Sequence, residues 1–177
     1  MKKIIIIYHK DCPDGFSSAW VVWKKFRNSA EYIGVDPKHL PEKLPKNKEV
    51  FAIDTSFSPK NLNKLIDRGN NVTVIDHHPS EENDVKLAPK FLFNLKHSGA
   101  VLTWQFFHKE KPLPRLLKNI EDMDLWRFKV SHTKEISAYI EQLEFDFKTW
   151  DKLARDIENP KKLKSIVNQG TIILKYK

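Results

Sequence analysis

The chain has very little cysteine and no long hydrophobic run, and each shortage excludes a class of protein. Its 177 residues include one cysteine, so no disulfide framework can form within the chain. The longest aliphatic run, Ile4–Ile7, falls far short of the roughly 20 residues needed to cross a bilayer. Since no signal-like segment precedes that run, we expect a cytoplasmic protein with no membrane partner.

An excess of negative charge is also missing. The chain carries 31 lysines and arginines against 23 aspartates and glutamates, a formal net charge of +8. The positive excess lies at the two ends, because residues 51–150 carry 14 basic and 14 acidic side chains. A basic chain favours phosphorylated ligands or nucleic acid as partners, although the basic segments taken alone are better explained as solvated surface.

What the chain does contain is an alternation of strand and helix patterns. The β-branched run Ile4–Ile7 is typical of a strand buried on both faces, and an amphipathic helix pattern follows it. Further strands are predicted near residues 32–35, 50–53, 72–75 and 91–93, and helices from residue 98 onward. This alternation predicts an α/β fold: a doubly wound, mainly parallel five-stranded sheet with helices on both faces and a helical C-terminal part.

Metal-ligating residue types follow three of the predicted strands. Because ligands bind outside the carboxyl ends of strands in an open parallel sheet, we expect these side chains to share one edge. Each group alone is also explained by a turn or a helix cap, but three together favour a site. Clustered carboxylates repel one another unless a cation lies between them, and a mixed set of His and Asp suits Mn²⁺, Zn²⁺ or Fe²⁺. The residues are His9, Asp11, Asp14, Asp54, Asp76, His77 and His78, with Asp122 and Asp124 further along.

In order and spacing these motifs resemble the DHH phosphoesterase superfamily, which includes the RecJ exonuclease, nanoRNA and cyclic-dinucleotide phosphodiesterases, and family II pyrophosphatases. The resemblance covers residues 8–126. The matching segments are Tyr8-His9-Lys10-Asp11-Cys12-Pro13-Asp14-Gly15, Ile53-Asp54, Val74-Ile75-Asp76-His77-His78-Pro79, His97-Ser98-Gly99-Ala100 and Asp122-Met123-Asp124-Leu125-Trp126.

The resemblance implies hydrolysis of phosphoester bonds by water activated between two divalent ions. The ions implied are Mn²⁺, with Mg²⁺, Zn²⁺ and Co²⁺ as alternatives. By position, the implied metal ligands are His9, Asp14, Asp54, His77 and Asp122, with Asp54 as the bridge. Asp76 would orient His77 and, with His78, serve catalysis; His78, Ser98 and Gly99 would contact the substrate phosphate, the last two through backbone N–H groups.

One position departs from the family pattern. The first motif usually supplies Asp-x-Asp, whereas this chain has Cys12-Pro13-Asp14. In that register Cys12 stands in place of a carboxylate, and either Asp11 replaces it or the first ion binds weakly. In a second register, Phe16 occupies the position of the missing aspartate.

The implied organisation is a DHH-type catalytic domain over residues 1–130, with residues 131–177 a helical extension or linker toward a C-terminal domain that the chain lacks. The implied substrate is a nucleotide, another phosphorylated small molecule or a short single-stranded nucleic acid, gripped with the help of a homodimer partner or a separate domain. Two alternatives stay open. One is a degenerate module that binds a nucleotide or protein without turnover. The other is a phospho-acceptor receiver domain, for which Asp54 and Lys96 are suitably placed but His77 and His78 are not expected.

Overall fold

The computed structural model describes residues 3–177, which divide into two compact units. The first extends to Lys109 and the second comprises Glu110–Lys177. The boundary expected at residue 130 therefore falls inside the second unit.

The first unit is built on a parallel sheet. Within its described residues the sheet has five strands in the order β2-β1-β3-β4-β5, and every neighbouring pair is parallel. This confirms the α/β fold predicted from the alternating pattern. The elements are β1 (Ile4–His9), α1 (Pro13–Phe26), β2 (Ala30–Val35), β3 (Glu49–Ile53), α2 (Pro59–Ile66), β4 (Asn71–Asp76), α3 (Glu82–Val85), β5 (Lys90–Phe93) and α4 (Gly99–His108).

Helices cover both faces of the sheet because successive side chains of each strand point to opposite faces. Ile5 and Ile7 of β1 belong to a buried cluster with Leu62 and Leu65 of α2. On the opposite face, Phe51 of β3 packs edge-on against Phe107 of α4, with ring centroids 5.1 Å apart. A strand buried in this way has no exposed face, which explains its uninterrupted aliphatic sequence.

The strand order places a crevice between β1 and β3. The chain leaves β1 toward one edge of the sheet to form β2, and β3 then lies on the other side of β1. At such a switch point the loops after the two central strands diverge, and ligands bind outside the carboxyl ends there. The segments that follow β1 and β3 begin after His9 and Ile53, so the predicted site residues lie at this crevice.

The second unit is helical, as expected for the C-terminal part. Residues 110–177 form α5 (Arg115–Asp124), α6 (Thr133–Ile140), α7 (Phe147–Glu158) and α8 (Pro160–Lys175). The side chains of Asp146 and Asn159 cap α7 and α8 by accepting hydrogen bonds from N–H groups of the first turn. None of the helices in residues 3–177 combines the length and the apolar character that crossing a membrane requires.

Candidate metal centre

Asp54 is the central residue of the crevice. It follows β3 with a backbone φ of 54°, in the left-handed region, which aspartate enters more readily than most L-residues. Its N–H donates to the carbonyl of Ile75 at 2.8 Å, which fixes the turn against β4. The side chain is 1% exposed, and among residues 3–177 neither carboxylate oxygen has a hydrogen-bond donor in good geometry. A buried carboxylate of this kind calls for a cation.

Two histidine rings face this carboxylate. His9 Nδ1 lies 3.5 Å from Asp54 Oδ2, and His77 Nε2 lies 3.2 Å from Asp54 Oδ1. Burial acts to raise the pKa of Asp54, but the rings of His77 and His9 outweigh it and hold that pKa well below its ordinary value. The carboxylate is therefore ionised at neutral pH and ready to bind a metal.

Asp14, at the start of α1, is held by the N-terminus of α4. Its oxygens accept hydrogen bonds from the backbone N–H of Gly99 at 2.7 Å and of Ala100 at 3.1 Å. Oδ2 also lies 3.6 Å from His77 Nε2. The anion at this helix N-terminus is thus a side chain of the protein, whereas the resemblance implied a substrate phosphate. The Ser98 hydroxyl caps the helix by accepting from the N–H of Val101 at 3.4 Å.

Asp76 orients His78. Asp76 Oδ1 lies 2.7 Å from His78 Nδ1, and it also accepts from the backbone N–H of His77 at 2.7 Å. The ring that the structure places against Asp76 is therefore that of His78, whereas the resemblance implied His77. Because a carboxylate only accepts, Nδ1 of His78 carries the proton in this contact and Nε2 is left to face a ligand. The His78 side chain is 41% exposed, unlike the fully buried Asp76.

Asp54 belongs to two groups of donor atoms. One comprises Asp54, Asp76, His77 and His78, and the other His9, Cys12 and Asp54; in each, the donor atoms lie within 4.8 Å of one another. Ligands on opposite sides of a transition-metal ion, each about 2.1 Å from it, are about 4.2 Å apart. Each group therefore needs only small adjustments to enclose an ion, and one carboxylate is shared by both.

A cavity of about 240 Å³ opens beside this centre. One wall is a buried glutamate, Glu81, which accepts hydrogen bonds from Ser56 and Ser80 and forms an ion pair with Lys38 at 2.8 Å. Burial acts to raise the pKa of Glu81, but Lys38 and the serines outweigh it and lower that pKa. Sequence reasoning missed the pair of Lys38 and Glu81 because the two residues are 43 positions apart, although Glu81 lies only three residues after His78. The lining residues are His9, Pro37, Lys38, Asp54, Thr55, Ser56, Asp76, His78, Ser80 and Glu81.

Two other predicted ligands have different surroundings. Asp11 is exposed, with a backbone φ of 55°, and it belongs to none of the donor groups found in the described chain. Asp122 lies in the second unit, where its oxygens accept from the N–H groups of Lys129 and Val130 and from the hydroxyl of Thr133. Burial acts to raise the pKa of Asp122, but these donors outweigh it and lower that pKa. Within its unit, Asp122 fastens the loop that joins α5 to α6.

Comparisons with known proteins give a fold and no name for an activity. No protein-family model matches the chain. It is 32% identical over 164 residues to an uncharacterized protein of Acanthamoeba polyphaga mimivirus, an alignment that covers 83% of this chain and 39% of the viral protein. Its fold is similar to the crystal structure of an uncharacterized protein from Helicobacter pylori, with a TM-score of 0.73, 12% identity, and coverage of 97% of this chain and 62% of that one. The chain therefore spans less than two thirds of the length of either protein, and the structural likeness supports the fold alone.

Proposed function

We propose that this chain is a catalytic part of a divalent-metal-dependent phosphoesterase of the DHH type, which hydrolyses phosphoester bonds of a nucleotide or short oligonucleotide. The observation that carries the proposal is Asp54. It is buried, its oxygens face the rings of His9 and His77 without a hydrogen bond in good geometry, and two separate donor groups share it. A single carboxylate placed between two sets of ligands is what a two-metal hydrolytic centre requires.

The charges around Asp54 support a metal over a purely structural role. In the described part of the chain, the ion pairs of Asp54 and Asp76 are made with histidines and not with lysine or arginine. The buried carboxylate of Glu81 differs in this respect, because it forms an ion pair with Lys38 and accepts hydrogen bonds from the hydroxyls of Ser56 and Ser80. Asp54 and Asp76 keep buried oxygens without donors, and divalent ions would neutralise them.

Each side chain has a definite part in such a reaction. Bound divalent ions lower the pKa of a water molecule and stabilise the charge that develops on a phosphoryl group. Asp54 and His77 would hold them, while Asp14 is fixed by Gly99 and Ala100 so that His77 keeps its place. His78 would face the substrate phosphate, and Asp76 would orient its ring through the contact with Nδ1.

The test combines binding with turnover. We expect Mn²⁺ to raise the unfolding temperature of the protein and to activate hydrolysis of bis(p-nitrophenyl) phosphate. At an ion concentration 100 times the Kd, binding adds about 2.7 kcal/mol to the free energy of unfolding. For a chain of this size that is a rise of about 5–10 °C. Asp54→Asn should abolish both effects, while Asp67→Asn, at an exposed position after α2, should leave both unchanged.

The outcomes also separate the alternatives. Nucleotide affinity together with metal binding but no turnover would identify a degenerate binding module. Turnover retained in Asp54→Asn would refute the site assignment. A phospho-acceptor role has less support, because an acceptor aspartate must be reached by a phosphodonor and Asp54 is 1% exposed.

A further inference from the structure

The only cysteine of the chain lies beside the candidate metal centre. Cys12 is the residue before α1, and it is partly buried. Its sulphur, a ring nitrogen of His9 and a carboxylate oxygen of Asp54 lie within 4.8 Å of one another. The thiol makes no hydrogen bond in cap geometry. Burial acts to raise the pKa of the thiol and the backbone N–H groups of Gly15 and Asp14 act to lower it, so the start of α1 explains only part of its placement.

The neighbouring groups point to a ligand at the same place. Asp54 is 1% exposed, and neither of its oxygens accepts a hydrogen bond in good geometry from residues 3–177. Asp11, the carboxylate nearest in sequence that could have served here, is exposed. The donor set at this position is therefore sulphur, nitrogen and oxygen, with a buried anion aimed into it.

We propose that Cys12 is a metal ligand, and that His9, Cys12 and Asp54 form a site that prefers zinc or cobalt to manganese. On binding, a metal–sulphur bond forms and the thiol proton passes to solvent. A thiolate is a soft ligand that zinc and cobalt bind well, whereas manganese and magnesium favour oxygen ligands. The second donor group, with two carboxylates and two histidines, has no sulphur, so we expect its preference for zinc and cobalt over manganese to be weaker.

This inference rests on the proposed function in one respect, because both use Asp54 as a metal ligand. Its test does not depend on turnover. Titrating the purified protein with Co²⁺ should produce a thiolate-to-cobalt charge-transfer band in the near ultraviolet. Because the chain contains a single cysteine, such a band can arise only from Cys12. Cys12→Ser, which keeps the size of the side chain, should lose the band while keeping the circular dichroism spectrum and the unfolding temperature of the metal-free protein.

A second variant tests the preference for a metal. Cys12→Asp restores a carboxylate, so we expect the ratio of Zn²⁺ to Mn²⁺ affinity to fall at least tenfold in a competition titration. Lys24→Met, on the far turn of α1, serves as a control that should leave the ratio unchanged.

The failures of the two proposals are distinguishable. Cobalt binding without the charge-transfer band would overturn the ligand role of Cys12, whatever the activity. The band without hydrolysis in any divalent metal would support the ligand role and overturn the proposed function. Absence of cobalt binding would overturn the ligand role of Cys12, whereas the proposed function is judged by Mn²⁺ binding and hydrolysis.

Discussion

Replacing Gly99 by alanine tests the metal centre without altering any proposed ligand. Gly99 begins α4, and its Cα lies against the side chain of Asp54. A Cβ added at Gly99 would be 2.4 Å from Oδ1, 2.6 Å from Cβ and 2.8 Å from Cγ of Asp54. Rotating the carboxylate does not relieve this overlap, because the Cβ of Asp54 is itself too close. Either the whole Asp54 side chain or the start of α4 must move.

The required movement is large compared with what a metal site tolerates. Non-bonded carbon and oxygen atoms approach to about 3.5 Å, so the overlap is about 1 Å. Metal–ligand distances hold to within about 0.2 Å. Moving α4 instead would break the hydrogen bonds from Gly99 and Ala100 to Asp14. We therefore expect Gly99→Ala to weaken Mn²⁺ binding at least tenfold and to lower the free energy of unfolding by about 1–3 kcal/mol.

Ala100→Gly is the matched control. It keeps the N–H that donates to Asp14 and adds no atom near Asp54. Lost helix propensity costs about 1 kcal/mol and the buried methyl about 0.8 kcal/mol, so the two variants lose similar stability. Calorimetric titration with Mn²⁺ and urea unfolding measure the two quantities separately. Wild-type Mn²⁺ affinity in Gly99→Ala, or an equal loss in Ala100→Gly, would refute the assignment of Asp54 as a ligand held in place by α4.

Three further predictions concern stability and are measured by denaturant unfolding. Asp122→Asn should destabilise the second unit by about 2–3 kcal/mol, since three donors lose a charged acceptor. The pKa of Asp122 is lowered in the folded chain, so the difference in unfolding free energy between wild type and variant should have its full size above pH 3.8 and shrink at lower pH. A difference that does not depend on pH would contradict the reasoning. Gly170→Ala should lower the free energy of unfolding by about 3 kcal/mol, because a Cβ on this residue of α8 would be 2.0 Å from the backbone oxygen of Glu135 in α6. An unchanged unfolding curve would show that α8 can move away from α6 without loss of stability. Glu81→Ala should lower the free energy of unfolding by about 2–3 kcal/mol, because the buried glutamate pairs with Lys38 and accepts hydrogen bonds from two serines. Lys38→Ala should lower it by less than about 1 kcal/mol, because the lysine is 55% exposed, and a larger effect of Lys38→Ala would contradict this explanation.

The sheet could be predicted because its strands follow a simple rule. A strand covered on both faces is apolar at nearly every position, and Ile4–Ile7 and residues 72–75, with Thr73 as the one polar residue, follow this without reference to any other part of the chain. The order of the strands could not be predicted in the same way. It depends on which helix packs on which face, as Leu62 and Phe107 do on opposite faces, and such contacts join residues far apart in the sequence.

The location of the candidate site could be predicted from the sequence, but the contacts within it could not. Parallel strands place their carboxyl ends at one edge, so residues that follow β1, β3 and β4 must lie near one another. Which groups then contact each other depends on the turns. Asp14 accepts from α4, and Asp76 contacts His78, because the chain bends locally in ways that residue types alone do not specify. Cys12 is the clearest case. In the sequence it looks like a missing carboxylate, whereas in the fold its sulphur lies beside His9 and Asp54.

The conformation of Asp54 argues that the centre exists for a ligand. A non-glycine residue in the left-handed region costs on the order of 1 kcal/mol. The buried carboxylate of Asp54 is kept ionised by the rings of His77 and His9, which outweigh the effect of burial on its pKa. In the described residues its ion pairs are with these histidines and not with lysine or arginine, and imidazole rings also bind divalent metals. A divalent ion that binds only the folded state would add about 2.7 kcal/mol to the free energy of unfolding at 100 times its Kd, and more at higher concentration. We therefore expect the free energy of unfolding to rise with Mn²⁺ concentration in the wild type and to stay constant in Asp54→Asn.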